Sequence, residues 1–191
     1  DFAPGVQVAQ WTSDGNVVFK VQEGPFTNIY NYDVESGEFS KVDTQVDAVG
    51  GMSLARTAPV LAWYGSRANA PYQAFVQGEG RARLLLTPDK ERFAQVQIGQ
   101  VEDWDFQTKD GTTITGRVHL PPDFDPNNKY PAIVHYYGGT HPSGRSFGGR
   151  YPVNFWAANG YVVYVLQPSG AIGFGQEFSA RHVNDWGKTT A

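Results

Sequence analysis

Residues 130–166 read YPAIVHYYGGTHPSGRSFGGRYPVNFWAANGYVVYVL. The stretch parses into four pieces. "YPAIVHYY" (130–137) is an apolar run rich in β-branched and aromatic residues, which predicts a buried strand. "GGTHPSGRSFGGR" (138–150) is a long glycine-rich loop. "YPVNFWAANG" (151–160) carries helix signals, Pro152 in the first turn and Gly160 as the stop just past the end. "YVVYVL" (161–166) is a second, almost wholly apolar strand, as a parallel sheet covered on both faces requires. Strand, helix, strand is a parallel β-α-β unit, and it decides for an α/β arrangement in this part of the chain.

Working outward, "VEDWDFQTKDGTTITGRVHLP" (101–121) reads as a hairpin turning at Asp110-Gly111, and "PPDFDPNNK" (121–129) as a loop. After the second strand come a further glycine-rich loop, "QPSGAIGFG" (167–175), and a short predicted helix, "QEFSARHV" (176–183). The first ~90 residues differ in character. "NVVFKV" (16–21) and "NIYNYDV" (28–34) are strand-like runs flanked by the turn signals "SDG" (13–15) and "ESGE" (35–38). A second copy follows in "PVLAWYGS" (59–66), "YQAFVQ" (72–77) and "ARLLLT" (82–87). Val18 and Leu61 are 43 positions apart, and Tyr30 and Tyr72 are 42 apart. That period fits one four-stranded propeller blade of about 40–45 residues; a plain β-meander is the alternative. Two blades do not close a propeller, so further blades are expected upstream.

Composition narrows the function. The chain has 191 residues, a net charge of −4 and no cysteine. Disulfides, thiolate metal sites and a cysteine nucleophile are excluded. With a pI near 5.5 and no basic stripe, no nucleic-acid partner is expected. The longest apolar run, Tyr161–Leu166, is far short of the ~20 residues of a membrane span. The start, "DFAPGVQVAQ", has no basic or apolar leader pattern, and periplasmic and cytoplasmic locations both remain open. No H-E-x-x-H, Walker A or G-x-G-x-x-G pattern occurs, and the glycines of "GAIGFG" (170–175) are in the wrong order for a dinucleotide loop. Neither a metal nor a cofactor is expected.

Within the loop, Gly144-Arg145-Ser146-Phe147-Gly148 spells G-x-S-x-G, the pattern of an α/β-hydrolase nucleophile elbow. An elbow must follow a core strand immediately and lead into a helix, which lifts the hydroxyl above the sheet. Ser146 lies nine residues past Tyr137, in mid-loop. The triad order Ser, acid, His can be spelled only as Ser146, Glu177, His182, and the last two are five apart on one short predicted helix, where they do not face each other. Ser146 is therefore rejected as the nucleophile and read as a solvated or substrate-proximal loop serine. His135 and His119 read as packed or hydrogen-bonded structural histidines, and Tyr136, on the opposite face from Tyr137, as core.

"DGTTITGRVHLPPDFDPNNKYPAIVHYYGG", "WAANGYVVYVLQPSGAIGFGQEF" and "NDWG", in order over about residues 104–187, resemble the prolyl oligopeptidase family of serine peptidases. The branch with dipeptidyl peptidases and acylaminoacyl peptidases is the most alike. The resemblance implies the C-terminal blades of a β-propeller over residues 1–99. Residues 100–191 would then be the N-terminal part of an α/β-hydrolase domain, a hairpin followed by parallel β-α-β. It implies cleavage of short peptides or peptide termini by acyl transfer, with an active site between the two domains. Tyr137-Gly138-Gly139 matches the family segment whose tyrosine supplies an oxyanion-hole hydroxyl, so Tyr137 inherits that role. A phenol is a neutral donor at pH 7 and can aim at a developing oxyanion. Gly138, Gly139 and His141 fall in the adjoining substrate-proximal loop. The elbow serine, acid and histidine of the family fall beyond Ala191, so no nucleophile is assigned in this chain. Where relatives carry Asp or Asn, any residue, then Arg-Gly, this chain has Gln167-Pro168-Ser169-Gly170, and Ser169 puts any contact of that arginine in doubt. A non-catalytic propeller with a degenerate hydrolase domain that binds a partner, and an esterase on the same fold, are the competing readings. The expected partner is a peptide substrate, and a homo-oligomer is compatible with the sequence.

Overall fold

Eight strands of the first half form two four-stranded antiparallel meanders. The first comprises β1 (Gly5–Trp11), β2 (Val17–Glu23), β3 (Phe26–Tyr32) and β4 (Phe39–Lys41), and the second β5 (Ala48–Leu54), β6 (Leu61–Arg67), β7 (Ala70–Gln77) and β8 (Arg83–Leu86). The computed structural model describes residues 2–185, so Trp186 and Gly187 of the "NDWG" motif and the end of the expected second domain lie outside the described residues. A single parallel pair, Thr27 with Ala48, joins the meanders. Strands β2 and β6 begin at Val17 and Leu61, and β3 and β7 at Phe26 and Ala70, so both pairs are offset by 44 residues (61 − 17 and 70 − 26). The sequence repeat is thus one meander each.

Inner strands carry the shared core. Val18 and Ile29 of the first meander pack with Val49, Leu61, Trp63 and Phe75 of the second, and Trp63 stacks on Phe75 with ring centroids 5.8 Å apart. Each such side chain contributes about 1.5–3 kcal/mol when fully buried. The Trp63 indole N–H donates to the Thr44 carbonyl at 3.0 Å, which satisfies its one polar atom. Strand β5, "AVGGMSL", carries Gly50 and Gly51 at its centre, residues that weaken a strand pattern. The fold needs both: a Cβ on Gly50 would lie 2.3 Å from the Tyr64 ring and one on Gly51 2.8 Å from it. The register slips between Val49 and Gly51 at that point, a bulge where the ring lies over the backbone.

After α1 (Lys90–Phe93), a second sheet begins with β9 (Val101–Asp103). A small ladder of β10 (Phe106–Gln107) and β11 (Thr113–Ile114) carries the turn at Asp110-Gly111, where Gly111 has φ +84°. Then follow β12 (Gly116–His119), β13 (Ala132–His135), α2 (Val153–Ala158), β14 (Val162–Leu166) and α3 (Gln176–Ala180). The spatial order is β13-β14-β12-β9, with β13 and β14 parallel and the other pairs antiparallel. Helix α2 lies on β14: Ala157, Val163 and Val165 are buried together, with Ile133, Val153 and Trp156 against them. Gly160 ends the helix at φ +88°.

The run 130–137 is not the buried strand its composition suggests. Only Ala132–His135 is a strand, and Ala132 and Val134 are exposed. Tyr136, expected in the core, is 48% exposed. The reason is position: β13 is the last strand of the sheet among the described residues, paired on one side only. No helix among the described residues is long and apolar enough to cross a membrane.

Candidate active site

The glycine-rich loop 138–150 leaves the end of β13 and is fixed at three levels. Below it, the Gln167 carboxamide, buried at the end of β14, accepts from Ser143 N–H at 2.7 Å and donates to Ser143 C=O at 2.8 Å. A carboxylate at this position would have no donor for that carbonyl. Arg117 of β12 donates from Nη1 to Ser143 C=O at 3.0 Å and from Nη2 to Gly144 C=O at 2.6 Å. Above it, the loop reaches the first half of the chain. Arg145 pairs with Asp47 at 3.3 Å and with Asp103 of β9, and its guanidinium lies 4.7 Å from the centre of the Phe26 ring. Two residues on, Phe147 donates its N–H to Ser66 Oγ at 2.8 Å and sets its ring edge-on to Phe93. The G-x-S-x-G letters thus spell a docking loop in which Arg145 and Phe147 make the contacts. Ser146 between them is exposed, with no strand ahead of it and α2 not starting until Val153.

A cavity of about 340 Å³ opens beside this loop, between the second sheet and Ala68 of the β6–β7 turn. Tyr137, His141 and Ser146 line it; Gly138 and Gly139 do not. Tyr137 lies two residues past the end of β13 and is 51% exposed. Its ring covers Gly139, where a Cβ would sit 2.5 Å from Tyr137 Cε1, so the second glycine is required by this ring position. Gly138 is open, with nothing within 4 Å of a Cβ. Of the other candidates, Glu177 is exposed on α3 and His182 is buried in the turn after it, neither lining the cavity. Ser169 is half-buried beside Thr108 and Arg181, away from the cavity. His135 lies against Tyr151, the rings tilted with centroids 4.9 Å apart, and meets Trp156 edge-on. Burial and the Arg117 charge lower its pKa.

Sequence reasoning missed Arg117, since an arginine in a strand carries no sign of burial. It is 5% exposed. Its Nε–H donates to His119 Nε2 at 3.1 Å, so that nitrogen is unprotonated and Nδ1–H is the donor to Asn154 Oδ1 at 3.0 Å. Asn154 Nδ2 continues to Ala68 C=O at 2.9 Å, joining α2 to the first half of the chain. Burial, then Arg117, pushes the His119 pKa down to about 4. Burial, then Arg145, pushes that of Arg117 down to about 10, still protonated at neutral pH. The site therefore presents a buried cation, a neutral histidine and the Tyr137 phenol around one cavity. Among the described residues no three His, Asp or Glu side chains group as metal ligands.

No family model matches the chain. It is 24% identical to dipeptidyl-peptidase 5 of Porphyromonas gingivalis over 188 residues, 97% of this chain and 28% of the relative. It is 26% identical to the uncharacterized peptidase YuxL of Bacillus subtilis over 182 residues, 93% of this chain and 27% of that protein. In fold it matches the acylaminoacyl peptidase of Pyrococcus horikoshii with a TM-score of 0.84 at 21% identity, over all of this chain and 29% of that one. Both relatives and the neighbour are peptidases, and the mostly-sheet first half corresponds to their propeller part. The chain spans little more than a quarter of the curated relatives it matches, 28% and 27% of their lengths. In sequence and in fold the chain is similar to peptidases of the prolyl oligopeptidase family.

Proposed function

We propose that this chain is the segment of a serine peptidase in which the last propeller blades, residues 1–99, meet the opening of an α/β-hydrolase domain, residues 100–191. The whole enzyme cleaves short peptides or peptide termini by acyl transfer. Tyr137 donates its hydroxyl to the oxyanion, and the nucleophile, acid and histidine of the triad follow after residue 191. The observation that carries this reading is the place of Tyr137. It stands just past a strand that runs parallel to β14, its hydroxyl-bearing ring exposed beside a cavity bordered by both halves of the chain. The loop after such a strand is where α/β-hydrolases place an oxyanion donor. Support also comes from the sheet order, a hairpin followed by a parallel crossover, which suits an α/β domain.

In this scheme the phenol gains strength as charge develops on the reacting oxygen, so its bond belongs to the transition state more than to bound substrate. Gly139 permits the ring position, Gln167 and Arg117 hold the loop that follows, and Arg145 ties that loop to the propeller. The test is hydrolysis of dipeptidyl and N-acyl-aminoacyl anilides by the full-length protein. Turnover that is abolished by a serine-directed phosphonate supports the reading. A folded full-length protein that cleaves none of these refutes it and favours a binding module.

A further inference from the structure

We propose that the cavity beside Tyr137 is a carboxylate-binding subsite built on Arg117 and Arg150, and that it selects peptides carrying a carboxylate near the cleaved bond. The inference rests on the peptidase reading above for the word peptide. The site itself rests on charge and burial. Arginines 117 and 150 are the charged residues of the cavity wall, which holds no Asp or Glu. Arg117 is 5% exposed, yet among the described residues no carboxylate lies within ion-pair distance of it. Its contacts are two carbonyls and a neutral imidazole, which use three of its five N–H groups. A charge taken out of water and given only neutral partners is costly, and native structures normally pair it.

The nearby acids do not supply that pair. Asp47, in the propeller half, and Asp103, on β9, favour the Arg117 charge only from a distance: both are engaged by Arg145, and Asp47 also accepts from Ala68 N–H at 2.9 Å. Arg150, exposed at the mouth, lies 5.6 Å from the centre of the Tyr151 ring, with its charge free to meet a ligand. Of the remaining polar wall, His119 is held neutral, and His141 and Ser146 add hydrogen-bonding groups. The guanidinium fork suits a planar, two-oxygen anion. At about 340 Å³ the cavity admits one side chain or one chain terminus rather than a folded segment. Two sources offer that chemistry, an Asp or Glu side chain of the substrate and its free C-terminal carboxylate.

The experiment is equilibrium binding of peptides with a reduced, uncleavable scissile bond to the full-length protein. One arm compares Glu with Gln at each position flanking that bond; the other compares a C-terminal acid with the amide. The expected result is that one carboxylate form binds about 10- to 100-fold more tightly than its neutral counterpart. That gain should shrink between 0.05 and 0.5 M salt, fall to under about threefold in Arg117→Met, and be reduced in Arg150→Gln. Which arm shows the gain identifies the source. Equal binding of acid and neutral forms in both arms overturns the subsite, as does a gain that survives both substitutions. Should Arg117→Met fail to fold by circular dichroism, the wild type and Arg150→Gln decide. A protein that cleaves neutral peptides without discriminating loses the subsite and keeps the peptidase reading. One that discriminates without cleaving does the reverse.

Discussion

Replacing Arg145 by Met should release the glycine-rich loop from the propeller half. Arg145 is the residue that loop commits to three partners: Asp47 and the Phe26 ring in the propeller half, and Asp103 on β9 of the second sheet. The contributions differ. Its side chain is 11% exposed and that of Asp47 25%, and a charge-assisted hydrogen bond in such a place is worth about 1.5–3 kcal/mol, the lower end at 3.3 Å. The Asp103 side chain is 65% exposed, so that pair adds about 0–1 kcal/mol after solvent screening. The cation over Phe26 adds about 0.5–1 kcal/mol. Met keeps the apolar stem, so the charge is what is lost. Asp47 keeps its Ala68 N–H bond, which limits the damage. The net expectation is a loss of about 2–3 kcal/mol in the equilibrium that opens the loop, or roughly 30- to 150-fold in the open population. Chymotryptic cleavage after Phe147, measured where opening and closing are fast, reads that population directly. Asp103→Asn alone should change the rate less than about fivefold. An Arg145→Met protein cleaved within about twofold of the wild-type rate would refute the reasoning, since the loop would then be held without its ion pairs.

On the proposed role, Tyr137→Phe keeps the ring over Gly139 and removes the donor, so kcat should fall about 10²- to 10³-fold with KM little changed in steady-state anilide kinetics. Ser146→Ala should leave kcat within about threefold of wild type in the same assay. Gly99→Ala should destabilise by at least about 2–3 kcal/mol in urea unfolding, because the new Cβ would stand 1.7 Å from the Leu120 carbonyl oxygen, backbone that cannot swing aside. His119 has a folded pKa of about 4, below its ordinary 6.5, so as pH falls the unfolded chain takes up this proton first. Its contribution is intact above pH 6.5 and lost between there and pH 4, by up to roughly 3 kcal/mol; His119→Asn should flatten that part of the stability profile.

What was legible in the sequence follows from what each signal records. Strands β2, β3, β6 and β7 announce themselves through β-branched and aromatic runs, since those residues fill the shared core of the two meanders. Helix α2 and its stop at Gly160 were equally plain, because Pro152 and Gly160 act through local backbone chemistry. Strand β5 was hidden because its two glycines make room for the ring of Tyr64 on the neighbouring strand, a tertiary demand that looks local. The exposure of Val134 and Tyr136 was hidden because composition does not say whether an apolar strand has neighbours on both edges. At the site, the Tyr-Gly-Gly motif pointed to Tyr137, and Gly139 turns out to sit beneath its ring. Arg117, Asn154 and Gln167 were not found. Their meaning lies in pairings with Ser143, His119 and Ala68, 24 to 86 residues away in the chain, that no short motif spells.

The central claim is that the reactive serine of the full-length protein is not the one inside G-x-S-x-G at 144–148. Labelling the folded protein with a fluorophosphonate and mapping the modified peptide by mass spectrometry tests it directly. The account predicts stoichiometric label on one serine C-terminal to residue 191, unaffected by Ser146→Ala. Label on Ser146 itself, lost in Ser146→Ala, would contradict it.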